Sequence, residues 1–173
     1  METFISMNNK NKKKGFTLTE MLATVIIVIL LSLVLTVLTG LASKYFKETT
    51  MDADGQTLLS TLTSAVEDEL RYATNIEVDG DEYTYFSTST GLGRGTTLQN
   101  KTIDDKSIII IYNSENDIEY PIVNMGSYVY DLQATIESSY DAENNKFNVT
   151  IVVKDKEKQI CKNIFAVVPL NPE

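Results

Sequence analysis

The hydrophobic and polar positions of this chain divide it into a polar, lysine-rich start, one long apolar run, and a longer part with short apolar runs. The long run covers residues 21–42, MLATVIIVILLSLVLTVLTGLA, and holds no ionisable side chain. A helix rises about 1.5 Å per residue, so roughly 20 residues cross the hydrocarbon core of a bilayer. Valine and isoleucine favour strands in water, but a single segment in lipid satisfies its backbone amides only as a helix. We therefore predict one membrane-spanning helix.

After the span, the pattern becomes that of an amphipathic helix with one buried face. Residues 43–50 are polar, and the segment DADG at residues 52–55 can loosen or break the helix. Apolar residues then recur at spacings of three and four, namely Leu58, Leu59, Leu62, Ala65, Val66, Leu70 and Ala73. We expect the opposite face to be solvated, with Glu67, Asp68, Glu69 and Arg71. Residues 43–75 are thus predicted to continue the helix and to pack on a sheet.

From residue 76 onward, short apolar runs alternate with polar turns, which is typical of antiparallel strands. The runs lie at residues 76–86 with a turn at Asp79-Gly80, 107–123 with a turn near 114–117, 127–139, and 146–168 with a turn near 155–157. Residues 87–102, STSTGLGRGTTLQNKT, are expected to be a long connection, a type that is either functional or mobile. One antiparallel sheet packed on the second half of the helix gives an α+β fold.

Charge separates a basic start from an acidic remainder. The net charge is −9, and residues 1–15 hold four lysines and one glutamate, so residues 16–173 carry −12. Because like charges repel, we expect neither nucleic acid nor anionic lipid to bind directly to the part of the chain that follows the span. About 130 residues follow the span, enough for one globular head. The single cysteine, Cys161, cannot form an intramolecular disulfide, and we expect a small buried thiol there.

The lysine-rich start is typical of a targeting segment, and three kinds of processing compete for it. Its lysines should stay in the cytoplasm, which places the head outside the membrane. A secretory signal has an apolar core of about 7–15 residues. Gly40-Leu41-Ala42 offers such a signal a cleavage site, but the run before it is too long. A lipoprotein is excluded because no cysteine directly follows the span. Cleavage before the span remains.

The string KKKGFTLTEMLATVIIVILL, residues 12–31, resembles the N-terminus of type IV prepilins and of the related pseudopilins of type II secretion and competence machines. The resemblance implies that prepilin peptidase cuts between Gly15 and Phe16 and methylates the new N-terminus. It also implies that Glu20, the fifth mature residue, neutralises the N-terminal ammonium of a neighbouring subunit. A carboxylate at the edge of hydrocarbon would indeed need a partner or a proton in a close-packed helix bundle.

The same resemblance implies a structural subunit of a type IV pilus or a related filament. Its partners would be other pilin subunits, prepilin peptidase, the pilus assembly platform and the membrane, from which the processed subunit enters an extracellular filament. Two departures favour a minor pilin or a pseudopilin. Val37 stands where many major pilins have a proline, and one cysteine cannot close their long disulfide loop. The expected segments are a leader (1–15), a transmembrane and filament-core helix (16–42), an amphipathic helix entering the head (43–75) and a β-sheet head (76–173).

The alternative is a single-pass membrane protein whose extracytoplasmic head binds a ligand or catalyses a reaction. The chain has no histidine, which excludes Ser-His-Asp and Cys-His catalysis and HExxH zinc sites. The segment GLGRG, residues 91–95, lacks the strand, helix and Lys-Ser/Thr of a phosphate-binding loop, so a flexible loop is expected. We therefore expect no enzymatic activity, no catalytic residue and no cofactor.

Two acidic stretches of the head offer oxygen ligands of the kind that calcium prefers. They contain Asp79, Asp81 and Glu82 in one case and Asp141, Glu143 and Asn144 in the other. Neither stretch matches a complete calcium-loop pattern, and Asp, Asn and Gly are also the ordinary residues of turns. Turn residues are therefore the expectation, and no metal is predicted.

The head has one basic cluster, composed of Lys154, Lys156, Lys158 and Lys162. Asp155 and Glu157 alternate with these lysines, which is typical of a charged hairpin turn. Single-stranded nucleic acid is bound on aromatic platforms in basic grooves, and no aromatic residue accompanies this cluster. We expect no nucleic-acid site.

Overall fold

The computed structural model describes residues 15–80, 82–156 and 158–170. The described residues form two compact units, divided between Phe46 and Lys47. Residues 1–14 of the predicted leader lie outside the described residues, as do Asp81 and Glu157.

Helix α1 spans Leu18–Arg71 without interruption. The helix break that DADG was expected to allow is therefore wrong. Gly55 is buried against the sheet, and a Cβ built on it would lie 2.8 Å from Ile160 Cγ2. The Cys161 thiol also donates a hydrogen bond to the Gly55 carbonyl at 3.3 Å. Close packing thus explains this glycine, and it offsets a helix propensity about 1 kcal/mol poorer than that of alanine.

Within the described residues, eight strands follow the helix and form two antiparallel sheets. The first sheet has the order β1-β2-β3-β4-β5, with β1 at Thr74–Asp79, β2 at Glu82–Ser87, β3 at Gly93–Ile103, β4 at Lys106–Asn113 and β5 at Ile118–Pro121. The second has the order β6-β7-β8, with β6 at Leu132–Asp141, β7 at Lys146–Asp155 and β8 at Lys158–Val167. A short 3-10 helix at Met125–Ser127 precedes the second sheet. This is an α+β, pilin-like architecture, as predicted.

The structure differs from the expected strands in two ways. The head contains two sheets instead of one, and most of the expected connection at residues 87–102 belongs to β3. Strand β3 is mostly polar, so its sequence lacks the apolar alternation typical of a strand. Its side chains at Thr96 and Leu98 are nevertheless buried. Strand β3 pairs with β4, which contains the isoleucine run, from Thr96 to Ile103. Asp104 and Asp105 form the tight turn between the two strands, with positive φ values of 50° and 62°. The loop expected at residues 91–95 is therefore wrong for residues 93–95, which belong to β3, while residues 91 and 92 precede the strand.

The apolar face of α1 packs into the core of the head, as its spacing predicted. Leu58, Leu62, Val66 and Leu70 are fully buried there with residues from both sheets. Burying one such side chain contributes about 1.5–3 kcal/mol. Cys161 is also buried, as predicted, and burial raises the pKa of its thiol.

Glu69 was expected on the solvated face of α1, but it is only 4 % exposed. It lies three residues after Val66, so helical spacing places it on the buried stripe. The Tyr85 hydroxyl donates to Glu69 Oε1 at 3.1 Å, and the Ser89 hydroxyl donates to Oε2. Burial raises the pKa of Glu69, and the hydrogen bond from Tyr85 opposes that rise. The carboxylate thereby joins the helix to β2 and the turn that follows it.

Side-chain hydrogen bonds join strand β6 of the second sheet to the first sheet. The Asn100 side chain of β3 donates to the Ile136 carbonyl of β6 at 2.8 Å. Two residues further along β6, the Tyr83 hydroxyl of β2 donates to Ser138 Oγ at 2.7 Å. Strand β6 is thus tied to β3 through Ile136 and to β2 through Ser138.

Candidate assembly site at the start of the helix

The segment predicted to be cleaved lies just before α1 and outside its hydrogen-bonded turns. Gly15, Phe16 and Thr17 precede the first helical residue, Leu18, and Phe16 is 79 % exposed. A Cβ built on Gly15 would meet no other atom within 4 Å. Packing within the chain therefore does not require glycine at this position.

Thr17 and Glu20 form a reciprocal cap on the first turn of α1. The backbone N–H and the hydroxyl of Thr17 each donate to Glu20 Oε2 at 2.9 Å. In return, the backbone N–H of Glu20 donates to Thr17 Oγ1 at 3.3 Å. This is the capping-box arrangement, which satisfies N–H groups that have no partner inside the helix. A carboxylate in the first turn also interacts favourably with the positive end of the helix dipole.

The capping role of Thr17 was missed from the sequence. The pattern T-x-x-E stands directly before the apolar run in Thr17-Leu-Thr-Glu20, which is the signature of a capping box. A contact between subunits, which the resemblance implies, is therefore not the one role of Glu20. The structure brings Gly15, Phe16 and Glu20 together within one short exposed segment.

The apolar part of α1 carries hydroxyl side chains, and each turns back onto its own helix. Those of Thr24, Ser32, Thr36 and Thr39 donate to the carbonyl four residues earlier at 2.5, 2.8, 2.8 and 2.6 Å, respectively. Such bonds satisfy polar groups without water or a second helix. The surface that remains is apolar, with large side chains about half exposed or more from Met21 to Leu41.

This helix is, within the described residues, the one long and apolar enough to cross a membrane. Phe16, Met21, Thr24, Val25, Val28 and Ile29 line a shallow apolar groove at its start. An apolar helix surface of this kind is stable in lipid or against other apolar helices, because water is excluded from both. Membrane anchoring through this helix agrees with the prediction.

Residues 10–39 match the family described as Prokaryotic N-terminal methylation motif. The chain carries a prepilin-type methylation motif. The match extends from the lysines before Gly15 through the apolar helix, and it is consistent with a type IV pilin-like protein. No curated protein and no solved structure matches the chain significantly.

In the second acidic stretch, Asp141 and Asn144 bond to each other within a turn. The Asp141 carboxylate accepts bonds from the backbone N–H of Asn144 at 3.1 Å and from its side chain at 2.8 Å. These hydrogen bonds, and the nearby Lys146 ammonium, lower the pKa of Asp141. Of the other stretch, Asp81 lies outside the described residues. Among the residues that are described, no group of three or more metal-ligating side chains comes together.

Proposed function

We propose that this chain is a structural subunit, of the minor type, of a type IV pilus or a related pilin-like filament. The apolar part of α1 holds the precursor in the membrane with its head outside the cell. Prepilin peptidase removes the leader between Gly15 and Phe16 and methylates Phe16. The assembly platform then moves the subunit into a filament, where α1 packs on the helices of other pilin subunits. The chain itself catalyses no reaction in this proposal.

The observation that carries the proposal is that the methylation motif coincides with an exposed, apolar helix start. A protease needs a segment outside the hydrogen-bonded helix, and Gly15 and Phe16 meet that need. A filament core needs an apolar helix surface, which α1 provides over residues 21–41. The match in residues 10–39 supports assembly with pilin-like subunits in general.

Glu20 would fix the register between neighbouring subunits. Both bonds from Thr17 are accepted by Oε2, and within the described residues no donor contacts Oε1. Oε1 is thus available to the N-terminal ammonium of a neighbouring mature subunit. An ammonium buried among apolar helices without such a partner costs several kcal/mol.

Intact-mass analysis of membrane-extracted protein tests this proposal. The expected mass is that of residues 16–173 with one added methyl group. Gly15→Val should block processing, because a branched side chain obstructs the cleft that admits the backbone. Gly40→Val is the matched control, since a Cβ at Gly40 also meets no atom within 4 Å. Cleavage after Ala42, or an uncleaved wild-type chain, would instead support a secreted or single-pass protein with a different function.

A further inference from the structure

The lysines of the β7–β8 hairpin contribute to a shallow groove on the outer face of the second sheet. This surface, called the basic groove below, is lined by Gln133, Thr135, Val152, Lys154 and Lys156. Lys162 lies beside it as the strand partner of Val152. Lys156 forms an ion pair with Asp131 at 3.4 Å, but within the described residues no carboxylate pairs with Lys154 or Lys162. Positive charge therefore concentrates on one face of a strongly acidic head.

A second groove, of opposite charge, lies on the β1–β2 hairpin. This acidic groove is lined by Glu77, Val78, Asp79, Glu82, Tyr83 and Thr84. The carboxylates of Glu77, Asp79 and Glu82 lie on exposed residues, and none of them forms an ion pair within the described residues. Each groove also has one valine among its charged residues, Val78 here and Val152 in the basic groove.

The two grooves lie at opposite ends of the β6–β7 strand pair, so one chain cannot join them. Tyr83 of the acidic groove bonds to Ser138, and its ring lies 5.2 Å from that of Phe147 near the start of β7. Gln133 and Lys154 of the basic groove are strand partners near the other end. Positions 133 and 138 are separated by about 17 Å, at roughly 3.3 Å per residue. A lysine and a glutamate at such a separation cannot form an ion pair.

We propose that the basic groove of one copy of this chain binds the acidic groove of a second copy. Lys154, Lys156 and Lys162 would face the carboxylates of the β1–β2 hairpin, and the two valines would meet between the charges. The contact is heterologous, because the two copies contribute different surfaces to it. The inference rests on the proposed filament function and adds a contact between heads.

Zero-length carbodiimide cross-linking of the full chain, in membranes and in sheared filaments, tests the contact. This reagent joins a lysine to a carboxylate only where the two already touch. We expect a covalent dimer in which mass spectrometry finds Lys154, Lys156 or Lys162 joined to Glu77, Asp79 or Glu82. The ion pair of Lys101 with Glu119 inside each copy is the positive control for the reagent.

Charge exchange provides the matched variants. Lys154→Glu and Glu82→Lys should each lower the yield of cross-linked dimer about fivefold, because attraction between exposed groups becomes repulsion. The two changes in one chain should restore the yield to within about twofold. Arg94→Glu, an equal change of charge at an exposed residue outside both grooves, should leave it unchanged. The buried Cys161 thiol should remain unreactive in every variant, which verifies that the head is folded.

The inference is overturned if the Lys101–Glu119 link forms but no dimer links the two grooves. It is equally overturned if the double exchange fails to restore the yield, or if the groove lysines are joined instead to another protein or to nucleic acid. The processing of Gly15 and Phe16 is measured separately by mass. A processed subunit without the groove contact would therefore contradict this inference and leave the proposed function standing.

Discussion

The Glu20 carboxylate accepts two hydrogen bonds from Thr17 at the start of α1, one from the backbone N–H and one from the hydroxyl, each at 2.9 Å. Glu20 therefore has a partner within its own chain before any filament forms. Two explanations for a requirement of Glu20 in assembly can now be separated. One is its charge, and the other is the cap that orders the first turn.

Substitutions at these two residues distinguish charge from capping. We expect Glu20→Ala and Glu20→Gln to leave leader removal intact and to reduce the ratio of filament to membrane protein at least tenfold, since a neighbouring ammonium loses its counter-charge. Thr17→Val keeps the carboxylate and removes the hydroxyl, a loss of about 1 kcal/mol of capping. The ratio of filament to membrane protein should fall less than about fivefold in Thr17→Val, and Thr17→Ser should resemble the wild type. A Thr17→Val defect as large as that of Glu20→Gln would assign the requirement to the cap.

Gly55 and Ile160 make a contact that a methyl group would disturb. In Gly55→Ala, overpacking of about 1–3 kcal/mol opposes a gain in helix propensity of about 1 kcal/mol. We expect a net loss of about 1 kcal/mol in the free energy of unfolding, measured by urea denaturation of the head. In an Ile160→Ala background the obstructing Cγ2 is gone, so Gly55→Ala should increase the free energy of unfolding of the head. The same sign in both backgrounds would contradict the proposed contact.

Glu69 should make the stability of the head depend on pH. Because burial raises its pKa in the folded state above the ordinary value of 4.5, the folded head binds more protons than the unfolded chain. This contribution to stability is fully present below about pH 4.5 and is lost as pH rises through the raised value. Glu69→Gln should therefore be more stable than wild type at neutral pH, with the difference shrinking on acidification. The exposed Asp68→Asn is the control, and an equal pH dependence for both variants would refute this account.

The unit that begins at Lys47 should fold without the membrane span. A fragment of residues 47–173 retains the buried face of α1 and both sheets, so circular dichroism should show helix and strand with one cooperative thermal transition. A fragment of residues 58–173 lacks Gly55, whose carbonyl accepts a hydrogen bond from the Cys161 thiol. We expect the shorter fragment to melt at a lower temperature and its thiol to react faster with a thiol reagent. A disordered longer fragment would contradict the independence of the head.

Local patterns were sufficient for the first half of this molecule. The apolar run of residues 21–42 has no charge to place in water, and lipid permits only a helix, so the length and the absence of ionisable groups decided the structure. The string around Gly15, Phe16 and Glu20 pointed to the methylation motif without knowledge of the head. The apolar spacing from Leu58 to Leu70 likewise predicted the buried face of α1.

Only the tertiary structure decided what the polar and small residues of the head do. Position 55 of the helix needs glycine because Ile160 occupies the space that a side chain would fill, and β3 is a strand because the isoleucines of β4 pair with it. Glu69 is buried because Tyr85 and Ser89 supply its hydrogen bonds. In each case the partner is distant in sequence, and the energy of a polar or small residue depends on that partner more than on its own chemistry. A long apolar helix needs no such partner to be recognised, and for this reason the sequence alone determined the anchor while contacts between strands determined the head.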